Sequence, residues 1–197
     1  MGPPTASGRM VDVYSLNPEL LRDVIFVRHA ESLVEPNRPP AEWQLSLRGK
    51  DLSYELGACL VPKGLRRIFT SPEEKARETA TVLSKVLGVN VVTDDRLREV
   101  QRPWTDDNFA NLVARYFHGD LIEGWEPVEE VVSRLEAFLL SLPRGGPIGV
   151  VTHGTAMTCL LGAGDSANRA RFWSDLTMPD AWTFWGEVPT RLDCLRP

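Results

Sequence analysis

Val24-Ile25-Phe26-Val27-Arg28-His29-Ala30-Glu31 is the stretch on which the fold turns. Four apolar residues in a row read as a buried strand, and the arginine and histidine behind them stand at its outgoing end. In an α/β sheet that rim is where ligands bind. The layout recurs at Ile148-Gly149-Val150-Val151-Thr152, which runs into His153-Gly154-Thr155. Two of the chain's 3 histidines therefore follow buried-strand patterns. If the two strands are parallel neighbours, both imidazoles reach one rim and share one substrate.

A third strand end joins them. Arg67-Ile68-Phe69-Thr70 reads as a short buried strand, and Ser71-Pro72-Glu73-Glu74 behind it as a helix start. Ser71 is placed to cap, Pro72 to take the first helical position and Glu74 to close a capping box. An apolar stripe through Ala76, Ala80, Leu83 and Leu87 continues the helix until Gly88. Lys75 sits in the first turn, where a cation is opposed by the helix dipole and by unpaired N–H groups. A bound anion would remove that conflict. Arg77, four residues after Glu73, is expected to pair with it on the solvent face, whereas Lys75 has no such partner ahead of it.

Further strands are expected over 89–93 and 181–185, and a helix over 46–60 with Leu52, Leu56 and Leu60 on one side. Strands with continuous apolar runs, alternating with helices, predict a three-layer α/β/α sandwich around a mostly parallel sheet. The length of 197 residues suits a single domain over 21–197, preceded by a flexible tail over 1–20. Lys and Arg total 22 against 27 acids, for a net charge of −5, and no basic run suggests nucleic acid. No apolar run is long enough to span a membrane, and no signal-peptide pattern opens the chain. The cysteines, Cys59, Cys159 and Cys194, form no CxxC pair and read as core or incidental thiols, which with the missing export signal suggests a cytoplasmic setting.

Arg28-His29-Ala30-Glu31-Ser32, Ser71-Pro72 with Lys75-Ala76 and Thr79-Ala80, Leu97-Arg98-Glu99 and Thr152-His153-Gly154 together resemble the histidine phosphatase superfamily, the phosphoglycerate mutase-like proteins. The blocks span the chain from Asp23 to the helix after His153, all in family order. The resemblance implies a metal-independent phosphatase, with no cofactor, that works through a phosphohistidine. It assigns the nucleophile to His29, the proton donor to Glu99 and phosphate contacts to Arg28 and His153, with Lys75 and the N–H groups near Gly154 added by their chemistry. Phosphoryl transfer without a metal needs such cations and donors around a group that stays negative throughout. The chain departs from the family in carrying Lys75 where an arginine is usual, which keeps the charge and loses the two-pronged grip. It also carries Glu35 where mutases have asparagine, an acid that would repel phosphate unless it points away.

The implied substrate is a small phosphorylated molecule or a phosphoprotein. Two rival readings are a phosphoglycerate mutase-type phosphomutase and a non-catalytic phosphate-binding protein. Metal ligation by the two histidines is disfavoured, because no further ligands stand at short spacing. The segment over 101–127 is expected to cap the site. Within it Phe109, Leu112, Val113, Tyr116 and Phe117 fall at the spacing of one buried helix face. Arg102 and Trp104, off that face, are candidate substrate contacts, as is Arg77.

Overall fold

The computed structural model describes residues 21–105, 108–162, 165–185 and 188–195. The tail expected over 1–20 lies outside the described residues. Six strands form one sheet: β1 (Val24–Arg28), β2 (Arg67–Thr70), β3 (Asn90–Thr93), β4 (Ile148–Thr152), β5 (Asp180–Trp185) and β6 (Val188–Arg191), in the order β3-β2-β4-β1-β5-β6. β1, β2, β3 and β4 run parallel, while β5 pairs antiparallel with β1 and β6 antiparallel with β5. The final hairpin partner, β6, had no expected counterpart. Val188-Pro189-Thr190-Arg191 carries one large apolar residue, and that residue is exposed.

The alternation of side chains along a strand divides the core in two. Phe26, Phe69 and Val150 point to one face, where they meet α3 (Phe109–His118), α4 (Val128–Leu140) and α5 (Gly154–Leu161) through Phe117, Phe138 and Met157. Ile25, Val27, Ile68 and Val151 point to the other, against α1 (Leu47–Leu60) and α2 (Glu74–Leu87) through Leu56, Leu60, Ala80 and Leu83. A sixth helix, α6 (Ser166–Asp175), joins the first of these layers through Phe172 and Trp173. The sheet is thus covered on both sides, as continuous apolar strands require.

Helix ends follow local chemistry. Ser46 caps α1 by accepting the Gly49 N–H at 2.9 Å, and Gly88 stops α2 with φ at 68°. The start of α2 differs from expectation. Its N-cap is Glu73 and no side chain caps it, because the Ser71 hydroxyl is drawn to a buried histidine and Glu74 pairs outward with Arg77. The Tyr116 and Phe117 face of α3 is buried as its spacing predicts, with Phe109 and Leu112 half-buried at its edge.

The cysteines also depart from expectation. Cys59 on α1 is bonded to Cys194 after β6, and Cys159 alone is a free, buried thiol. The two bonded residues lie 135 apart in sequence, so no spacing pattern announces them. The bond removes the cysteine argument for a reducing compartment. No helix among the described residues is long and apolar enough to cross a membrane. Cross-links across long loops typically contribute about 2–4 kcal/mol. Thermal denaturation with and without a thiol reductant checks this, with a lower Tm expected under reduction and an unchanged Tm counting against any structural contribution.

Candidate active site

The parallel register aligns Arg28 with Thr152, so the residues after them, His29 and His153, leave the sheet side by side. The His29 N–H donates to the Thr152 carbonyl at 2.9 Å, and the two ring centroids stand 5.1 Å apart. Both rings are buried, at 6% and 0% exposure. Around the next residue the α2 motif closes in: the Ala30 N–H donates to Thr79 Oγ1 at 3.0 Å. Glu31 is fixed as well, its carboxylate accepting from Ser46 Oγ at 2.6 Å, which ties the loop after β1 to the start of α1.

His29 Nδ1 lies 2.8 Å from the Ala30 carbonyl oxygen. A carbonyl only accepts, so Nδ1 carries the proton and Nε2 keeps its lone pair. Burial pushes the His29 imidazolium well below the ordinary histidine range, assisted by His153, Lys75 and Arg28 nearby, with the Ala30 bond opposing. The ring is therefore neutral at neutral pH. His153 is depressed in the same direction, by burial first and then by Lys75, Arg134 and Arg28. His153 is thus neutral as well, and meets phosphate as a hydrogen-bonding group before it can act as a cation. Its Nε2 contacts Ser71 Oγ at 2.7 Å, and its buried Nδ1 has no partner among the described residues.

Arg28 donates through Nη1 to the Leu176 carbonyl at 2.9 Å and leaves its buried Nε unpaired. Gly154 explains how that guanidinium fits. A Cβ there would stand 3.0 Å from Arg28 Nε and 3.1 Å from Cζ, so the absent side chain is the seat of the arginine. This revises the role expected for the N–H groups near Gly154. Those of Thr155 and Ala156 are already taken by the Glu99 carboxylate, at 3.2 and 2.8 Å. An acid at the N-terminus of α5 is favoured by the helix dipole.

Glu99 is held from behind. Arg134 donates to the Arg96 carbonyl at 2.5 Å and to the Glu99 carbonyl at 3.3 Å, and grips the buried Glu126 with Nε and Nη2. Glu126 in turn accepts the Gln101 N–H at 3.1 Å and pairs with Arg98 at 3.0 Å. Against the cost of burial, the hydrogen bonds from Arg134 and the Gln101 N–H hold the Glu126 carboxyl below its ordinary range. Thr152 Oγ1, donating to the Leu97 carbonyl at 2.7 Å, fixes the same loop to β4.

The cavity over these groups has a volume of about 480 Å³. Arg28, His29, Glu99, Lys75 and Arg102 line it, with apolar walls from Val34, Pro40, Trp43, Val100, Phe109, Trp173 and Met178. Arg102 lies 4.1 Å over the Phe109 ring with its Nε buried and unpaired. Trp104 packs edge-on against Trp43 at 4.8 Å and stands outside the lining. Arg77 is corrected outright. It faces solvent, pairs with Glu74 at 3.1 Å and lines a neighbouring groove. Glu35 points away from the cavity and pairs with Arg38 at 3.2 Å.

Lys75 has two partners where none was expected, the Glu73 carboxylate at 2.5 Å and the Pro40 carbonyl at 2.7 Å. Glu73 and Ser71 are the site residues that the sequence reading assigned elsewhere. The signal for Glu73 was its place two residues before Lys75, at the outgoing end of a strand. Among the described residues no group of three or more His, Cys, Asp or Glu side chains is arranged to hold a metal.

The model of the histidine phosphatase superfamily (branch 1) matches residues 24–181. Probable phosphoglycerate mutase GpmB of Yersinia enterocolitica is 28% identical over 155 residues, covering 70% of this chain and 72% of that protein. The GpmB of a Klebsiella pneumoniae strain is 26% identical with the same coverage. Among solved structures, the mycobacterial glucosyl-3-phosphoglycerate phosphatase superposes with a TM-score of 0.65 at 21% identity, over 86% of this chain and 96% of that one. Bacillus stearothermophilus YhfR gives 0.65 at 22% identity, over 85% and 94%.

Two outcomes are expected. Gly154→Ala should displace Arg28 and weaken inorganic phosphate binding by about tenfold or more, the loss of one charge-assisted contact; unchanged binding would remove Arg28 from the anion site. In an NMR titration, His29 and His153 should stay neutral through pH 6.5, the ordinary value from which both are lowered. Because their folded-state values are depressed, the stability they contribute is full above pH 6.5 and is lost as pH falls below it, so Tm should decline there. Titration of both rings centred on 6.5 would contradict the geometry.

Proposed function

The chain belongs to the histidine phosphatase superfamily (branch 1), and from that premise we propose that it hydrolyses a phosphate monoester through a phosphohistidine on His29. The observation that carries the reading is the bond from His29 Nδ1 to the Ala30 carbonyl, which leaves Nε2 as a neutral nucleophile. In the first step Nε2 attacks phosphorus, the P–O bond to the alcohol breaks, and Glu99, having taken the proton that a monoanionic phosphate ester brings in, gives it to the leaving oxygen. Glu99 Oε2 is the oxygen suited to this, since it accepts one 3.2 Å bond while Oε1 accepts two shorter ones. In the second step water attacks phosphorus, Glu99 takes its proton, and the P–N bond breaks to restore the imidazole. One difficult displacement becomes two easier ones.

Arg28 supplies positive charge to the phosphoryl oxygens, and its buried, unpaired Nε is the donor left for them. His153 lies beside the nucleophile as a neutral hydrogen-bonding partner that can take up charge as the anion enters. The segment over 101–127 acts as the cap, with Arg102 and Phe109 contributing to the cavity wall. Its apolar sides and modest volume suit a small-molecule ester whose alcohol has an apolar or aromatic body. Arg102, stacked on Phe109, offers one cation to a polar group at the far end of that alcohol.

A phosphomutase is the second reading, favoured by the names of the Yersinia and Klebsiella relatives. It requires the phosphohistidine to persist and return its phosphoryl group to the product. Product analysis with a phosphoglycerate separates the two, since interconverted isomers without free phosphate would replace hydrolysis by transfer.

Phosphate release from an aryl phosphate in excess EDTA, compared between wild type and His29→Ala, tests the main reading. Activity should survive the chelator and fall by roughly 10³-fold or more without the nucleophile. Substantial residual turnover in a folded His29→Ala protein would remove the nucleophile assignment.

A further inference from the structure

The phosphate end of the cavity already holds an anion of the protein's own. Glu73 Oε2 stands 2.5 Å from Lys75 Nζ, while Oε1 accepts the Glu99 N–H at 2.8 Å and lies 3.6 Å from His153 Nε2. The Glu73 and Lys75 side chains are 12% and 8% exposed, so the contact is made largely out of water. A carboxylate oxygen and a phosphate oxygen are both acceptors, and they compete for the same donors. Two anions cannot share Lys75 without repulsion that the partly dry surroundings strengthen.

Glu73 also has somewhere else to go. It lines both the main cavity and the neighbouring groove, where Arg38 and Arg77 stand. Arg77 is four residues further along α2, the spacing of a helical ion pair, and among the described residues its guanidinium is held by an exposed bond to Glu74. As the N-cap residue Glu73 makes no side-chain capping bond, so its side chain can turn without cost to the helix.

We propose that Glu73 is a displaceable internal ligand of the phosphate subsite, neutralising Lys75 while the site is empty and swinging to Arg77 when a phosphate enters. The identity of the incoming anion rests on the phosphatase reading above, whereas the exchange itself concerns only Glu73, Lys75 and Arg77. Glu73 thereby sets how strongly the site holds phosphate. A site whose cation is free would retain product phosphate, while one that re-forms its own ion pair expels it.

The test is calorimetric titration of inorganic phosphate at fixed pH and ionic strength into wild type, Glu73→Gln, Arg77→Gln and the double variant. Glutamine keeps an oxygen for the Glu99 N–H and removes the charge, and Glu73→Ala serves if the first variant fails to fold. Glu73→Gln should lower the Kd for phosphate by about tenfold or more, the worth of one charge-assisted contact regained. Arg77→Gln should raise the Kd severalfold in the wild-type background and leave it unchanged beside Glu73→Gln. An equal or higher Kd in folded Glu73→Gln overturns the proposal, as does an Arg77→Gln effect of the same size in both backgrounds. Aryl phosphate turnover in the same samples keeps the two ideas apart. Turnover with a flat binding cycle sinks the exchange and spares the phosphatase reading, and the expected cycle without turnover does the reverse.

Discussion

The pairing of β1 with β4 is the constraint on which the site depends. Because the strands are parallel and in register from Val24 with Ile148 to Arg28 with Thr152, the first residue beyond each is a histidine. A slip of one residue would turn every side chain of β1 to the opposite face, burying the wrong set and separating the two imidazoles. The apolar pattern that fills both faces of the sheet therefore also fixes how the two histidines stand to each other. Packing and chemistry share one specification.

Around that pairing the protein balances charge in layers. Arg28, Lys75 and Arg102 bring positive charge to a partly buried cavity, and each has acids nearby, Glu73 against Lys75 and Glu99 and Asp180 near Arg28. Glu126 and Arg134 form a second layer that touches no part of the cavity and instead holds the loop over 96–101 in place. Neutral histidines are the result of burial inside this positive field. An imidazole that stays unprotonated is what in-line attack on phosphorus requires.

Local signals were legible in the sequence. The strand ends at His29 and His153, the helix over 46–60, the stop at Gly88 and the buried face of Tyr116 and Phe117 depend on neighbours within a few residues and read directly. Features set by contact between distant segments were not. Ser71 looked like a helix cap because nothing in its neighbourhood announces His153, 82 residues away. Glu73 looked like a surface partner of Arg77, since the spacing is right and only the fold turns it toward Lys75. Cys59 and Cys194 meet because the segment after β6 packs, through Leu192 and Leu195, on the core layer that holds Leu56 and Leu60 of α1, and the apolar cavity wall is assembled from Val34, Trp43, Trp173 and Met178 on separate segments.

The strand order carries a consequence for how the chain is made. β1 lies inside the sheet, and its partners among the described residues are β4 and β5, which begin at Ile148 and Asp180. During synthesis its apolar run emerges early and must wait for most of the chain before either edge is covered. Long-range parallel pairing of this kind is slow and leaves sticky strand edges exposed in the interim. His29, at the end of β1, is thus among the first parts of the domain to leave the ribosome and among the last to be set in place.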